Sequence, residues 1–313
     1  MKKILTCGLN PAWQKTLLFE TFQPDAVNRA VSMKTTASGK GVNFARAVQR
    51  WGIASANVLH PLGGVTGKQI TGSLAGEGIP SVAIMTEAVT RTCSTLMCRS
   101  TGTATEIIEP SGTILPGEYE NILTVAGLEL SASDALAICG TYPPGIPEDC
   151  YEKLTFMAAR SGKPVLLDAW KNTGKALSSG VTLLKINRGE LRELTGRDSV
   201  EEGIRHCLEQ FPLEAVAITD GKNRAFLGSR KGIAGISVPE ITNAVNPIGA
   251  GDTCSGVFFS EYLAGTELPE AFARGLCAAT ASCMTDSPAE FSREIANELR
   301  KQVEFYEIKG SMQ

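Results

Sequence analysis

Residues 182–196, "TLLKINRGELRELTG", pass from a short apolar run straight into a helix. The run "TLLKIN" (182–187) reads as a strand buried on both faces. Asn187 stands at the junction, and Glu190 follows three residues on. That spacing is an N-cap with its reciprocal acid, each side chain bonding the other residue's amide. Gly196 supplies the left-handed residue that closes the helix. One strand feeds one helix, which makes a βα unit.

The same unit recurs outward in both directions. Strand-like runs are "KILTCGL" (3–9), "ANVLHPL" (56–62), "SVAIMT" (81–86), "ALAICG" (135–140), "PVLLDA" (164–169) and "AVAITD" (215–220). Helix-like segments are "KGVNFARAVQRWG" (40–52), "TGKQITGSLAGEG" (66–78), "PEDCYEKLTFMAARSG" (147–162) and "SVEEGIRHCLEQF" (199–211). This alternation predicts an α/β fold, a parallel sheet covered by helices. Ligands of such sheets gather at the carboxyl ends of the strands, so polar residues just past a strand are the candidates. Two regions break the rhythm. Residues 12–36 and 90–108 are rich in Thr and Val and poor in helix signals, and read as strand pairs. A small antiparallel sheet assembled from both, lying over the site as a lid, is the economical reading; two separate surface hairpins are the alternative. Residues 1–11, 37–89 and 109–313 then form the main domain, with 12–36 and 90–108 as the lid.

Bulk properties narrow the function. A net charge of −3 gives no basic surface for nucleic acid or an anionic membrane. No apolar run approaches the ~20 residues that span a bilayer. The N-terminal apolar run stops at Asn10-Pro11, too short for the core of a signal peptide. Nine scattered cysteines without a CxxC pair fit reduced thiols of a cytoplasmic protein. His60 and His206 are the two histidines and lie far apart, which argues against a zinc site or a Ser-His-Asp triad. His206 reads as a surface residue, and His60, at a strand end, has no assigned role.

Two glycine-rich stretches fail common templates. "SGKGVNFA" (38–45) has Phe44 where the dinucleotide fingerprint needs Gly or Ala. "GGVTGKQI" (63–70) is short for a P-loop, and Gln69 stands where Ser or Thr would bind magnesium. At 39–41 there remains a turn opening a helix, with Lys40 between two glycines. It could hold a phosphate, or be a tight turn with a solvated lysine. "AVNPIGAGDTCSGVFF" (244–259) is stronger. Gly249, Ala250 and Gly251 let successive amides point one way at the positive end of a helix, which suits charge gathering on a transferring phosphoryl group. Asp252 follows in the first turn, where it could take a proton from an attacking hydroxyl. A cap would explain Asp252 alone but not the three small residues before it. Asp220-Gly221 is either a hairpin turn or a loop touching nucleotide phosphates. Asn187 and Glu190 sit where a magnesium–nucleotide complex needs oxygen ligands. "DAW" (168–170) and "GLCAATASC" (275–283) read equally as site lining or as close packing.

In this order, "LNPA", "VNRA", "GKGVNFARA", "TRTCSTL", "TEIIEPSG", "CGTYPPGIP", "LLKINRGEL" and "GAGDTCSGVF" resemble the ribokinase-like (PfkB-type) carbohydrate kinases, in particular the branch with 1-phosphofructokinase and tagatose-6-phosphate kinase. The resemblance implies a doubly wound, mostly parallel sheet with helices on both faces and a β-sheet lid, often used for a homodimer. It implies Asp252 as catalytic base and Gly249, Ala250 and Gly251 as anion hole. Lys185, Asn187, Glu190, Thr219, Gly221 and Gly251 fall at nucleotide positions, with Glu190 near magnesium through water. Lys40 and Arg91 match positions that hold the substrate's existing phosphate, with Arg29 a weaker match; Gln14, Gly39 and Asn43 match sugar contacts. Gln14 replaces a sugar-binding acid, Ser38 a glycine and Ile186 a proline, and Asn246-Pro247 departs from the pattern before "GAGD". The implied reaction moves the γ-phosphoryl of ATP, with Mg2+, onto a phosphorylated ketohexose, such as fructose 1-phosphate to fructose 1,6-bisphosphate, or tagatose 6-phosphate. A kinase for an unphosphorylated sugar or nucleoside, or a non-catalytic binding protein on the same scaffold, are the rivals.

Overall fold

A computed structural model describes residues 1–308. The chain begins with β1 (Lys2–Cys7), β2 (Ala12–Phe19), β3 (Ser32–Ser38), α1 (Lys40–Trp51), β4 (Ala54–Leu62), α2 (Gly64–Glu77) and β5 (Ser81–Met85). It continues through β6 (Thr92–Cys98), β7 (Thr103–Ile108), α3 (Pro116–Ser131), β8 (Ala135–Cys139), α4 (Cys150–Ala159), β9 (Val165–Asp168) and α5 (Gly174–Ser178). Next come β10 (Leu183–Asn187), α6 (Arg188–Thr195), α7 (Val200–Gln210), β11 (Ala215–Thr219), β12 (Ala225–Ser229) and β13 (Gly232–Ile236). The last elements are α8 (Ala250–Leu263), α9 (Leu268–Ser282), α10 (Arg293–Leu299) and β14 (Phe305–Ile308).

The main sheet runs β14-β13-β12-β11-β10-β9-β8-β1-β4-β5. Every pairing from β5 to β11 is parallel, and β12, β13 and β14 extend it antiparallel. Alternate side chains feed two cores. One face buries Ile4, Val58, Ala137, Leu166 and Ala217 under Phe44, Val48, Phe258 and Phe272 of α1, α8 and α9. The other buries Leu5, Leu59, Ile138, Leu167 and Ile218 under Ile122, Leu154, Leu191 and Ile204 of α3, α4, α6 and α7. The sheet is therefore doubly wound and mostly parallel, as the alternation and the resemblance implied. α3 was absent from the sequence reading because its apolar residues are scattered; Pro116 at its start and the Glu118 carboxylate, which accepts from Leu115 N at 2.8 Å, set its first turn.

From β1 the chain moves out to β4 and β5, then returns to β8 on the other side of β1. The reversal opens a crevice at the carboxyl ends of β1 and β8. The segments 12–36 and 90–108 meet in one sheet of order β3-β2-β6-β7. Its outer pairs are antiparallel, but its central seam, β2 with β6, is parallel. β2 follows β1 and β6 follows β5, and those two strands point the same way, so both excursions leave the main sheet at the same end.

α1 begins hard against β1. A methyl group on Gly41 would lie 2.5 Å from the Gly8 Cα, and one on Gly8 would lie 2.8 Å from the Gly41 Cα. The bare backbones let the start of α1 reach the crevice. His60 lies inside β4, fully buried, with no partner for either ring nitrogen. Burial pushes its pKa down to about 4, so it is neutral near pH 7. No described helix is long and apolar enough to cross a membrane.

Gly41→Ala is expected to cost about 1–3 kcal/mol of stability in urea denaturation, the usual range for forced overpacking. An unchanged midpoint would show that the contact has slack.

Candidate active site

The crevice, the starts of α1 and α8, and the lid strands enclose a cavity of about 360 Å³. Gly8, Asn10, Gln14, Lys40, Asn43, Arg91, Thr95, Glu106, Gly249 and Asp252 are among the residues lining it.

The turn before α8 is set by Gly249, in the left-handed region at φ 78°. A side chain there would approach Ala289 N and Pro288 Cβ at 3.2 Å. Ala250 N donates to Pro247 O at 3.3 Å, closing the turn, and the first bond into the helix runs from Thr253 N to Gly249 O at 2.8 Å. The amides of Gly251 and Asp252 precede that bond, at the positive end of the helix. Asp252 does not cap α8; Gly249 is the N-cap residue. Its Oδ2 instead accepts from Asn43 Nδ2 at 2.8 Å.

Behind Asp252 lies a carboxylate that the sequence leaves open between site lining and close packing. Asp168 ends the fully buried strand β9. Its Oδ1 is 2.8 Å from Lys40 Nζ, its Oδ2 is 3.5 Å from Lys185 Nζ, and Ser255 Oγ donates to Oδ2 at 2.6 Å. Burial opposes ionisation of Asp168, but the ammonium groups of Lys185 and Lys40 outweigh it and hold its pKa down at about 2. Asp252 goes the other way. Burial pushes its pKa up to about 6, with Lys40 pulling down and Asp168 pushing up. Two neighbouring carboxyls thus divide into a fixed anion and a proton acceptor near neutrality. Burial works against the charges on Lys40 and Lys185, yet the surrounding carboxylates raise both pKa values. The signal for Asp168 was an acid closing an otherwise apolar strand.

Lys40 also reaches Glu190 Oε1 at 3.5 Å and stacks on Trp170, 5.6 Å from the ring centroid. Its charge is thus partly matched already. Asn187 Oδ1 accepts from Glu190 N and Glu190 Oε2 accepts from Asn187 N, each at 2.9 Å, the box expected from sequence. Lys185 Nζ donates to Gly251 O at 3.0 Å, joining β10 to the turn of α8. Asn187 and Thr219 are register partners at the ends of β10 and β11, and Gly221, at φ 57°, forms the hairpin turn to antiparallel β12. The residues expected at nucleotide positions are not among those lining the cavity.

On the lid side, Gln14 Nε2 donates to Thr95 Oγ1 at 2.9 Å. Arg91 Nη2 donates to Asn10 O at 3.3 Å, while its buried Nε has no partner among the described residues. Gly39, at φ 110°, passes within 3.0 Å of Pro11 Cα when given a methyl group. Arg29 is exposed between β2 and β3 and is not among the residues lining the cavity. Among the described residues no group of three His, Cys, Asp or Glu could hold a metal ion.

A family model described as "pfkB family carbohydrate kinase" matches residues 4–294. An ATP-dependent 6-phosphofructokinase isozyme 2 of Mycobacterium tuberculosis is 28% identical over 298 residues, covering 93% of this chain and 87% of the relative. A 1-phosphofructokinase of Borreliella burgdorferi is 28% identical over 301 residues, covering 92% of this chain and 94% of the relative. The crystal structure of phosphofructokinase-2 from Escherichia coli in complex with fructose-6-phosphate superposes with a TM-score of 0.86 at 21% identity, covering 96% of this chain and 99% of that one.

Asp168→Asn is expected to destabilise the fold by about 3–5 kcal/mol near pH 7, because two ammonium groups lose a buried partner. The depressed pKa of Asp168 adds stability above its unfolded value, about 3.9, which fades as pH falls towards about 2. The deficit of the variant, read by urea denaturation, should therefore shrink in acid. A constant deficit down to pH 2 would count against the ion pairs as its source.

Proposed function

The chain belongs to the pfkB family of carbohydrate kinases, and from that premise we propose that it transfers the γ-phosphoryl of ATP to a hydroxyl of a phosphorylated ketohexose, with Asp252 as general base. Membership makes it an enzyme that moves phosphate onto an alcohol with ATP as donor. The finer reading rests on one observation: Asp252 and Arg91 line the same cavity, and Arg91 keeps a buried N–H unpaired. A sugar phosphate carries a hydroxyl for the first and an anion for the second. The names of the relatives, 6-phosphofructokinase and 1-phosphofructokinase, support a phosphorylated fructose.

In this reading Asp252 accepts the hydroxyl proton as the oxygen attacks. The Gly251 and Asp252 amides face the charge that develops on the transferring group. Lys40, steadied by Asp168 and Glu190, adds a positive charge on the same side. Asn187, Thr219 and Gly221 border the nucleotide. Both Glu190 oxygens are already engaged, by Asn187 N and Lys40. That donor set fits a magnesium ion carried mainly by phosphates and water, with Glu190 acting through a water, where it would offset phosphate charge. The lid sheet, closing over the sugar, would exclude water from the transfer. Its other face leaves Met33 and Ile107 exposed at 57% and 52%, which suits a homodimer through the lid.

Asp252→Asn should lower kcat about 10²- to 10⁴-fold with KM values largely kept. The parent's kcat/KM should fall as pH drops through about 6, as the base protonates. Arg91→Ala should chiefly raise KM for the sugar phosphate. ATP consumption across fructose, fructose 1-phosphate, fructose 6-phosphate, tagatose 6-phosphate and a nucleoside checks the substrate class. Turnover of the unphosphorylated sugar alone, or near-normal turnover by Asp252→Asn, would sink the proposal.

A further inference from the structure

We infer that Arg46 is a positioning residue for the base: it fixes the Asn43 amide with its N–H side towards Asp252, and ties that amide to the end of lid strand β3. The inference rests on the reading of Asp252 as base.

Arg46 lies one turn after Asn43 on α1 and is 2% exposed. A guanidinium has five N–H donors and stays charged even when buried. Here all have acceptors. Nε and Nη2 clasp Glu77 at 2.6 and 3.1 Å. Nη2 also donates to Ala37 O at 2.9 Å, on β3. Nη1 donates to Asn43 Oδ1 and to Pro288 O, each at 3.2 Å.

An asparagine amide has the same outline either way round but opposite chemistry at its two ends. With Oδ1 accepting from Arg46, Nδ2 is left to donate to Asp252 Oδ2 at 2.8 Å. Reversed, the carbonyl would face the carboxylate and an N–H would face the guanidinium. Both contacts would repel, so the charge on Arg46 decides the orientation. Ser38 Oγ, at 3.4 Å from the same Oδ1, adds little by comparison. The guanidinium also holds the Pro288 loop, against which Gly249 turns with no room for a side chain. One buried cation therefore secures the lid strand, the amide beside the base and the wall of the anion turn.

The groups facing Asp252 are Lys40 and Asn43 from α1, Asp168 from β9 and Lys185 from β10. Only Asn43 is bonded to Arg46, and its bond draws the Asp252 carboxyl down against burial. Loosening Arg46 should move the acid limb of the rate profile to higher pH.

The test compares Arg46→Lys and Glu77→Gln with the parent, using ATP and fructose 1-phosphate or fructose 6-phosphate. Lysine keeps the charge but cannot span Glu77, Ala37, Asn43 and Pro288 together. Arg46→Lys should lower kcat about 10- to 100-fold through a misplaced base. Its acid limb should lie at higher pH than the parent's, with KM for ATP little changed. Glu77→Gln, at the outer end of the clasp, should shift the limb the same way by less. In an Asn43→Ala background, Arg46→Lys should no longer move the limb. A merely structural role predicts a lower Tm with kcat and the limb unmoved in the folded fraction, and that result overturns the inference. So does a shift undiminished in the Asn43→Ala background. Where Arg46→Lys does not fold, an unmoved limb in Glu77→Gln overturns it alone. Retained turnover in Asp252→Asn would sink the base reading itself, whereas an inactive Asp252→Asn with an unmoved limb in Arg46→Lys sinks only this one.

Discussion

Asp168 is the charge on which the site depends. Two lysine ammonium groups reach the carboxyl ends of β9 and β10, where Lys185 is almost wholly buried. Desolvation alone would strip such a group of its proton. Asp168, at 2.8 and 3.5 Å, is the first of the carboxylates that keep both charged, with Asp252 and, for Lys40, Glu190 adding to it, and Ser255 satisfies it further. The cations then stand close enough to Asp252 to temper the burial that raises its pKa. Remove the anion and the balance fails in both directions: the lysines lose their reason to be charged, and Asp252 loses the neighbour that keeps it from ionising too easily.

That cluster needs two helices to start at the same place, and the backbone arranges it. Gly8 and Gly41 bring the start of α1 onto the end of β1. Gly249 turns the chain sharply into α8, and Lys185 bonds the Gly251 carbonyl. Asn43 and Asp252, 209 residues apart in sequence, end up in direct contact. The sheet reversal between β1 and β8 supplies the space in front of them.

Local chemistry was legible where one segment contains both partners. Asn187 and Glu190 declared their mutual capping three residues apart, and the apolar runs declared buried parallel strands. Gly249 to Asp252 announced a helix start. What escaped was non-local. Asp168 looked like the end of a strand because Lys40 and Lys185, which give it meaning, lie 128 and 17 residues away. The sequence left Lys40 open between a phosphate contact and a solvated turn, because its partner Asp168 is equally distant. Arg46 looked like one more charged residue on a helix, since Glu77, Ala37 and Pro288 converge on it only in the fold. The parallel seam between β2 and β6 was misread as antiparallel because pairing follows from where two distant strands leave the main sheet. Arg29 shows the reverse: its motif position matched, yet in this chain it stands exposed outside the cavity lining.

The two ends of the cavity are built from different material, and this bears on how the chain departs from its family's pattern. The end with Asp252 stands on helix starts and buried strands locked by charge, where a changed residue disturbs several partners at once. The opposite end stands on lid strands whose cavity face carries Gln14, Thr95 and Glu106. The Gln14 amide N–H group donates to Thr95 Oγ1 at 2.9 Å and to Lys15 O at 3.2 Å, so its carbonyl oxygen is the end left to accept a further donor. Glu106, the register partner of Thr95, brings a carboxylate to the same wall. The departure at Gln14 therefore falls on the lid's wall of the cavity, where no buried ion pair is disturbed, while a change in the charge cluster behind Asp252 would leave a buried charge unmatched.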